Sequence, residues 1–211
     1  MQRRNKTNKN QRPFRLFLPS LPDLINLKKN GRLKLMSSQS EMQFNSPTFG
    51  QVSFTNVIYH LADFMEGESK KKYQLIIGSD SRTVGLAQDK KIDLVTAIVI
   101  HRLGQGGRYF WRKETKEKIQ TLRQKIYEET NSSLFVAQKL LEGFNKYLLT
   151  ATGNPIPKPP KYELEIHIDI GQQGPTREMI KEIVGMVQGS GFNAKTKPEA
   201  YGASKVADKH T

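Results

Sequence analysis

The chain has 211 residues, 36% of them hydrophobic and 26% charged, with a net charge of +14 and no cysteine. The lack of cysteine excludes disulfides, thiol catalysis and Cys-ligated zinc, and no apolar run approaches the roughly 20 residues a membrane-spanning helix needs; a reducing, cytoplasmic setting fits both. Residues 1–35 hold ten Lys/Arg against Asp23, a net of +9 that leaves +5 for the other 176 residues, so the remainder permits a polyanionic partner without demanding one.

Residues 1–42 read as a basic leader with little periodicity, expected to be disordered, and residues 43–211 as a single domain. Three readings of the leader stay open: an inert tail upstream of a start at Met36 or Met42, a basic nucleic-acid arm, or a transit peptide. Ser53 or Thr55 is expected to cap a helix to about Glu66, with Val57, Ile58, Leu61, Phe64 and Met65 on one side. Tyr73-Gln-Leu-Ile-Ile-Gly-Ser-Asp80 has no polar alternation in its middle, the mark of a strand buried on both faces and central in a sheet. It is expected to end at Asp80, with Gly78 admitting another backbone closely.

Ser81 to Lys91 reads as a polar connection, Leu94–Ile100 as a second strand, Gly104–Gly107 as a turn and Arg108–Arg112 as a third strand, together an antiparallel meander. A long helix is expected over about Lys116–Leu149, with Ile119, Leu122, Ile126, Leu134, Ala137, Leu140, Leu141, Phe144 and Leu148 on one face and Asn131-Ser-Ser133 as a candidate break. Thr152–Pro160 is a proline-rich linker. Tyr162–Ile170 alternates as a strand, with Glu163, Glu165, His167 and Asp169 on its polar face. Thr176 caps a further helix that stops at Gly189/Gly191, Phe192–Lys197 forms a last strand, and a helix over about Ala200–Lys209 closes the chain. The expected architecture is an α/β mixed sheet, β-β-β-α-β-α-β-α after an N-terminal helix.

Four acids stand out. If the strands ending near Asp80 and Asp169 are parallel neighbours, their carboxylates emerge together at one sheet edge and repel unless a divalent cation lies between them. Glu129 is seven residues from Leu122 and three from Ile126, on the stripe that faces the sheet, whereas Glu128 falls about 100° away; the plainer reading of Glu129 is a marginal acid reaching water or a lysine. Asp208 lies among small residues in the terminal helix, and Glu199, beside Pro198, is its competitor, assigned to the start of that helix. His167 shares a face with Asp169, and His210 lies two residues past Asp208, a candidate to touch substrate. His60 is expected on a helix surface and His101 in a structural role. No zinc-helix spacing, Walker sequence or nucleophile elbow is present.

Tyr73–Ser81, Ala97–Arg102, Leu122–Ile126 with Glu129-Thr130, Glu165–Gly171 and Lys197–Ser204 together resemble the YkuK-like family of predicted ribonuclease-H-related proteins, over about residues 50–211. The resemblance implies a ribonuclease-H-like fold and, by analogy, hydrolysis of phosphodiester bonds in RNA or an RNA/DNA hybrid. It implies two Mg²⁺ or Mn²⁺ ions about 4 Å apart, held by Asp80, Glu129 and Asp169, with Asp208 the most variable of the set and Glu199 standing where relatives often have Asp. Under that reading Lys113, Arg123, Lys195 and Lys197 are candidate phosphate contacts, and Tyr109 or Trp111 a candidate base contact. The rival functions are a non-catalytic nucleic-acid-binding or scaffold protein that keeps the fold, and a metal-dependent phosphatase or exonuclease on small substrates.

Overall fold

The structure is a computed structural model that describes residues 41–68, 70–85, 90–150, 161–174 and 176–211. The leader up to residue 40, part of the polar connection after Asp80 and the proline-rich linker lie outside the described residues.

The organising element is β3 (Tyr73–Val84), whose middle is buried on both faces as its apolar run requires. It pairs antiparallel with β4 (Lys91–Arg102), which pairs antiparallel with β5 (Gly107–Glu117). On its other side β3 pairs in parallel with β6 (Tyr162–Ile168), which pairs in parallel with β7 (Asn193–Lys195). The expected meander and mixed sheet are therefore present. A short hairpin, β1 (Gln43–Ser46) and β2 (Gly50–Ser53), adds to the β5 edge, giving the order β2-β1-β5-β4-β3-β6-β7. Its strands are polar, with Phe44 and Val52 buried in the core and Phe49 of the connecting turn packed against it, so it carries little strand signal.

All three meander strands outrun their apolar middles. β3 continues past Asp80 to Val84, and β5 past Arg112 to Glu117. These extensions are stitched by polar pairs across the ladder: Lys91–Glu117 at 2.8 Å, Lys113–Asp93 at 2.9 Å and Thr115–Asp93 at 3.0 Å. Hydrogen-bonded ladders clad in charge have no apolar alternation to reveal them. Asp80 thus lies within a strand. β6, by contrast, stops at Ile168, beside Ser79.

Helix α1 (Phe54–Glu66) is capped by Ser53, whose Oγ accepts from the Asn56 N–H at 3.3 Å. Helix α2 (Leu122–Thr150) begins later than the sequence suggests because Lys116 and Glu117 belong to β5. Thr121 and Gln124 cap it reciprocally: Thr121 Oγ1 accepts from the Gln124 N–H and Gln124 Oε1 from the Thr121 N–H, both at 3.1 Å. Asn131–Ser133 does not break α2. Ser133 Oγ lies 2.8 Å from Ser79 Oγ, which is 2.9 Å from Thr96 Oγ1, itself 2.7 Å from Ser132 Oγ. These hydroxyls satisfy one another where the helix docks on β3 and β4.

Tyr73, Leu75, Ile77, Ile98, Ile100 and Phe110 form the main core with α1, α2 and α3 (Ile180–Gly189). A 3₁₀ turn, Arg177–Met179, precedes α3, and Thr176 makes no side-chain cap. The opposite sheet face is covered by the C-terminal segment. It is a π-helical turn, Gly202–Ala207, followed by a 3₁₀ turn, Asp208–His210, rather than the expected α-helix. Ala207 packs on Val95 and Ala97. Close backbone approach falls at Gly202, where a Cβ would come within 2.5 Å of Ile76 Cγ2 and 3.2 Å of His167 Nδ1. Gly202→Val is therefore expected to lift the segment and cost about 1–3 kcal/mol. Denaturant unfolding and proteolysis of the C-terminus check it, and a wild-type stability would refute the close packing.

Candidate active site

The parallel register carries Asp80 and Asp169 to the same level. Ser79 is the partner of Ile168, so the next residue on each strand is an aspartate, and Asp169 lies just where β6 stops. The chain then turns tightly, the Ile170 N–H donating to Ile168 O at 2.9 Å. Ile170 returns to the core as a buried side chain.

Glu129 reaches the same place from the other face of the sheet. Its α2 stripe also carries Ile126, Thr130, Ser133 and Ala137, all buried, and Glu129 itself is only 6% exposed. Ser81 Oγ donates to Glu129 Oε1 at 2.7 Å. Lys125, one turn earlier, sets its Nζ 3.7 Å from the same oxygen. Burial pushes the Glu129 carboxyl up to about 7, against the Ser81 hydrogen bond and Lys125, while Asp80 and Asp169 push it further upward. The Asp80 carboxyl is likewise raised, first by burial and then by Asp169 and Asp208, with Lys125 opposing. Asp80 on β3 thus feels Asp169 at the end of β6 and Asp208 on the C-terminal segment, and Glu129 on α2 feels Asp80 and Asp169.

Asp208 is exposed at the tip of the C-terminal segment. Thr211 Oγ1 donates to Asp208 O at 2.8 Å and lies 3.5 Å from Asp80 Oδ2. Glu199 is placed elsewhere, in an exposed pair with Lys195 at 3.1 Å, so it does not compete with Asp208 for the cluster. His167 is buried rather than on a solvated polar face. Its Nδ1 accepts from the Gly202 N–H at 3.0 Å, which leaves the proton on Nε2 to be donated to Glu165 Oε2 at 3.2 Å. Burial lowers its pKa, favouring this neutral form. His167 thus holds the segment that bears Asp208. His210 stacks on Trp111 at 3.9 Å between ring centroids and leans on Tyr109 at 5.8 Å. His60 is packed against the core margin, stacked on Phe49 at 3.7 Å.

Each candidate phosphate contact is already in an ion pair: Lys113 with Asp93, Arg123 with Glu182 at 2.6 Å, Lys195 with Glu199, and Lys197 with Asp169 at 3.0 Å. Lys197 is the one among these four that meets the acid cluster. Sequence reasoning passed over Lys125, Ser81 and Glu165. Lys125 had a visible signal in its spacing of four from Glu129, and Ser81 in its position next to Asp80, but on the opposite face.

Among the described residues no three His, Cys, Asp or Glu stand close enough to form a ready-made metal cage. The acids are interleaved with two ammonium groups instead. Their chemistry nevertheless fits a hard divalent cation. Asp169 Oδ1 is buried and accepts no hydrogen bond; Lys197 Nζ, at 3.0 Å, supplies charge but stands off the direction a hydrogen bond needs. An orphaned carboxylate oxygen beside two acids of raised pKa is a natural position for a cation.

A model of the family described as Ribonuclease H-like matches residues 56–211. A relative described as "Uncharacterized protein YkuK", from Bacillus subtilis (strain 168), is 31% identical over 166 residues, spanning 76% of this chain and 92% of the relative. No solved structure matches significantly.

The Glu129 carboxyl is raised from 4.5 to about 7 on folding, so the folded state binds more protons and stability falls as pH rises between those values. Glu129→Gln, free of that penalty, is expected to gain on the wild type from about pH 5 to about pH 8, approaching on the order of 3 kcal/mol without divalent ions. Denaturant unfolding across that range in a chelator measures the gap, and a pH-independent difference would contradict the assignment.

Proposed function

The chain belongs to the ribonuclease H-like family, and from that premise we propose that it is a Mg²⁺- or Mn²⁺-dependent hydrolase of phosphodiester bonds in RNA or an RNA/DNA hybrid. What supports this reading is the register that sets Asp80 on β3 level with Asp169 just past the end of β6, with Glu129 and Asp208, from separate elements, each electrostatically coupled to Asp80. A protein that merely bound a polyanion would gain nothing from acids gathered this way, because they repel phosphate.

Asp80, Asp169, Glu129 and Asp208 would hold the ions. Once bound, such ions supply an activated water and neutralise charge on the phosphoryl and leaving oxygens. The remaining roles fall to this chain's own groups. Ser81 orients the Glu129 carboxylate through its 2.7 Å hydrogen bond. Lys125 keeps positive charge near Asp80 and Glu129, which favours their ionised, ligating forms. His167, with Glu165 behind it, holds the Gly202 N–H and with it the segment bearing Asp208. Tyr109, Trp111 and His210 form an aromatic shelf beside Asp208 on which an unpaired base can stack.

A second reading, a nucleic-acid-binding or scaffold protein without turnover, draws on the two ammonium groups that already neutralise part of the cluster. Cleavage of labelled RNA, DNA and hybrid, with and without Mg²⁺ or Mn²⁺, separates the two. Metal-dependent cleavage that falls by at least about a hundredfold in Asp80→Asn supports the hydrolase. Tight binding with no turnover in either metal favours the scaffold.

A further inference from the structure

Two lysines serve the acid cluster, and they are held differently. Lys125 rises from α2 one turn before Glu129, and its side chain is 26% exposed. Lys197 is fixed by its backbone. Its N–H donates to Ile170 O at 2.8 Å, and Gly171 lies so close that a Cβ there would come within 3.2 Å of Lys197 Cβ. The root of the side chain is therefore pinned beside the turn that carries Asp169. Beyond that root the arm runs free: the side chain is 50% exposed, and no hydrogen bond locks its Nζ to Asp169 Oδ1.

Resting on the metal-dependent reading above, we propose that Lys197 is a tethered counter-ion. Its ammonium neutralises Asp169 until a divalent cation takes that carboxylate, and the released ammonium then becomes a ligand for a phosphate of the substrate. The residue type suits this exchange. Lysine is a point charge on a flexible stem, without the two-pronged grip with which arginine holds a carboxylate. An ion pair to a half-exposed lysine that makes no hydrogen bond with its partner is weak, so a divalent ion displaces it easily. Its orphaned partner oxygen is the one a cation would claim first.

Displacement leaves the positive charge beside the carboxylates, where an incoming phosphate needs it. Cation and polyanion then raise each other's affinity through one side chain, as linkage requires. Lys195, two residues earlier, cannot substitute in this role, because it pairs with Glu199 away from the cluster.

The test uses the full chain, Lys197→Met, Lys197→Arg and, as a control for lost charge, Lys195→Met. Mn²⁺ alone is titrated first, and then a labelled RNA/DNA hybrid with phosphorothioate links is titrated with Mn²⁺ and with chelator. Lys197→Met is expected to bind Mn²⁺ more tightly, by up to about fivefold, and Lys197→Arg more weakly, while Lys195→Met stays within about twofold of wild type. The gain in hybrid affinity that Mn²⁺ brings to the wild type should shrink in Lys197→Met. Equal or weaker Mn²⁺ binding by Lys197→Met overturns the proposal; should that variant fold poorly, unchanged or tighter binding by Lys197→Arg does so. Failure of every protein, wild type included, to bind Mn²⁺ would remove the metal-dependent reading itself, an outcome distinct from unchanged affinity.

Discussion

The rung that pairs Ser79 with Ile168 is the constraint on which the rest depends. A parallel pair keeps residues in step, so one register decides that Asp80 and Asp169 follow side by side. A slip of one residue would turn Asp169 to the other face of the sheet. That register is secured below the site by apolar residues on both faces of β3, Leu75 and Ile77 against α2 and Ile76 against the C-terminal segment. The core therefore acts on the chemistry through alignment, and the two carboxylates inherit their proximity from the packing of their neighbours.

A single sheet also separates its two faces, which makes the meeting of Glu129 and Asp80 a topological matter. Ser81 and Glu129 belong to the helical face, Asp80 and Thr211 to the opposite one. They come within electrostatic reach because β6 stops at Ile168 while β3 runs on with β4. Beyond that end, among the described residues, no strand stands between the layers on this side. The cost is carboxylates held away from water beside one another: burial first, and then the neighbouring acids, raise the pKa of both Asp80 and Glu129. Lys125 and Lys197 offset part of it, and the hydroxyl chain from Ser79 to Ser132 and Ser133 keeps the adjoining interior polar without adding charge.

What could be read from the residues alone follows from where the physics is local. The buried run of β3, the β-branched β4 and the amphipathic stripe of α2 declare themselves, because burial dictates residue type along one strand or helix. The stripe even located Glu129. The charged extensions of β4 and β5 could not be read that way, since their pairing is secured by partners such as Lys113 and Asp93 twenty residues apart. The π-helical C-terminal turn sets the Gly202 N–H on His167 and passes close to Ile76, contacts with the sheet that its own sequence does not announce. Asn131–Ser133 has the composition of a break and instead serves as the docking face of α2, a tertiary override of local preference. Sequence set Asp208 ahead of Glu199 through the small residues around it and the family resemblance, and the path of the segment accords with this by leaving Glu199 in an exposed pair with Lys195.

That path suggests how fold and chemistry are joined at the end of the chain. Asp208, His210 and Thr211 are delivered together by one short segment, held through Ala207 on Val95 and Ala97 and through a backbone N–H on a neutral, buried histidine. His167 keeps the acceptor nitrogen that this contact needs because burial disfavours its protonation and Glu165 takes its one proton. A protonated imidazole would present a donor to the Gly202 donor and free the segment. Glu165 and His167 therefore help to hold in place the segment on which Asp208 lies. The polar alternation of β6, which in sequence resembles a solvated strand face, is better understood as two buried groups arranged to hold the last ten residues in place.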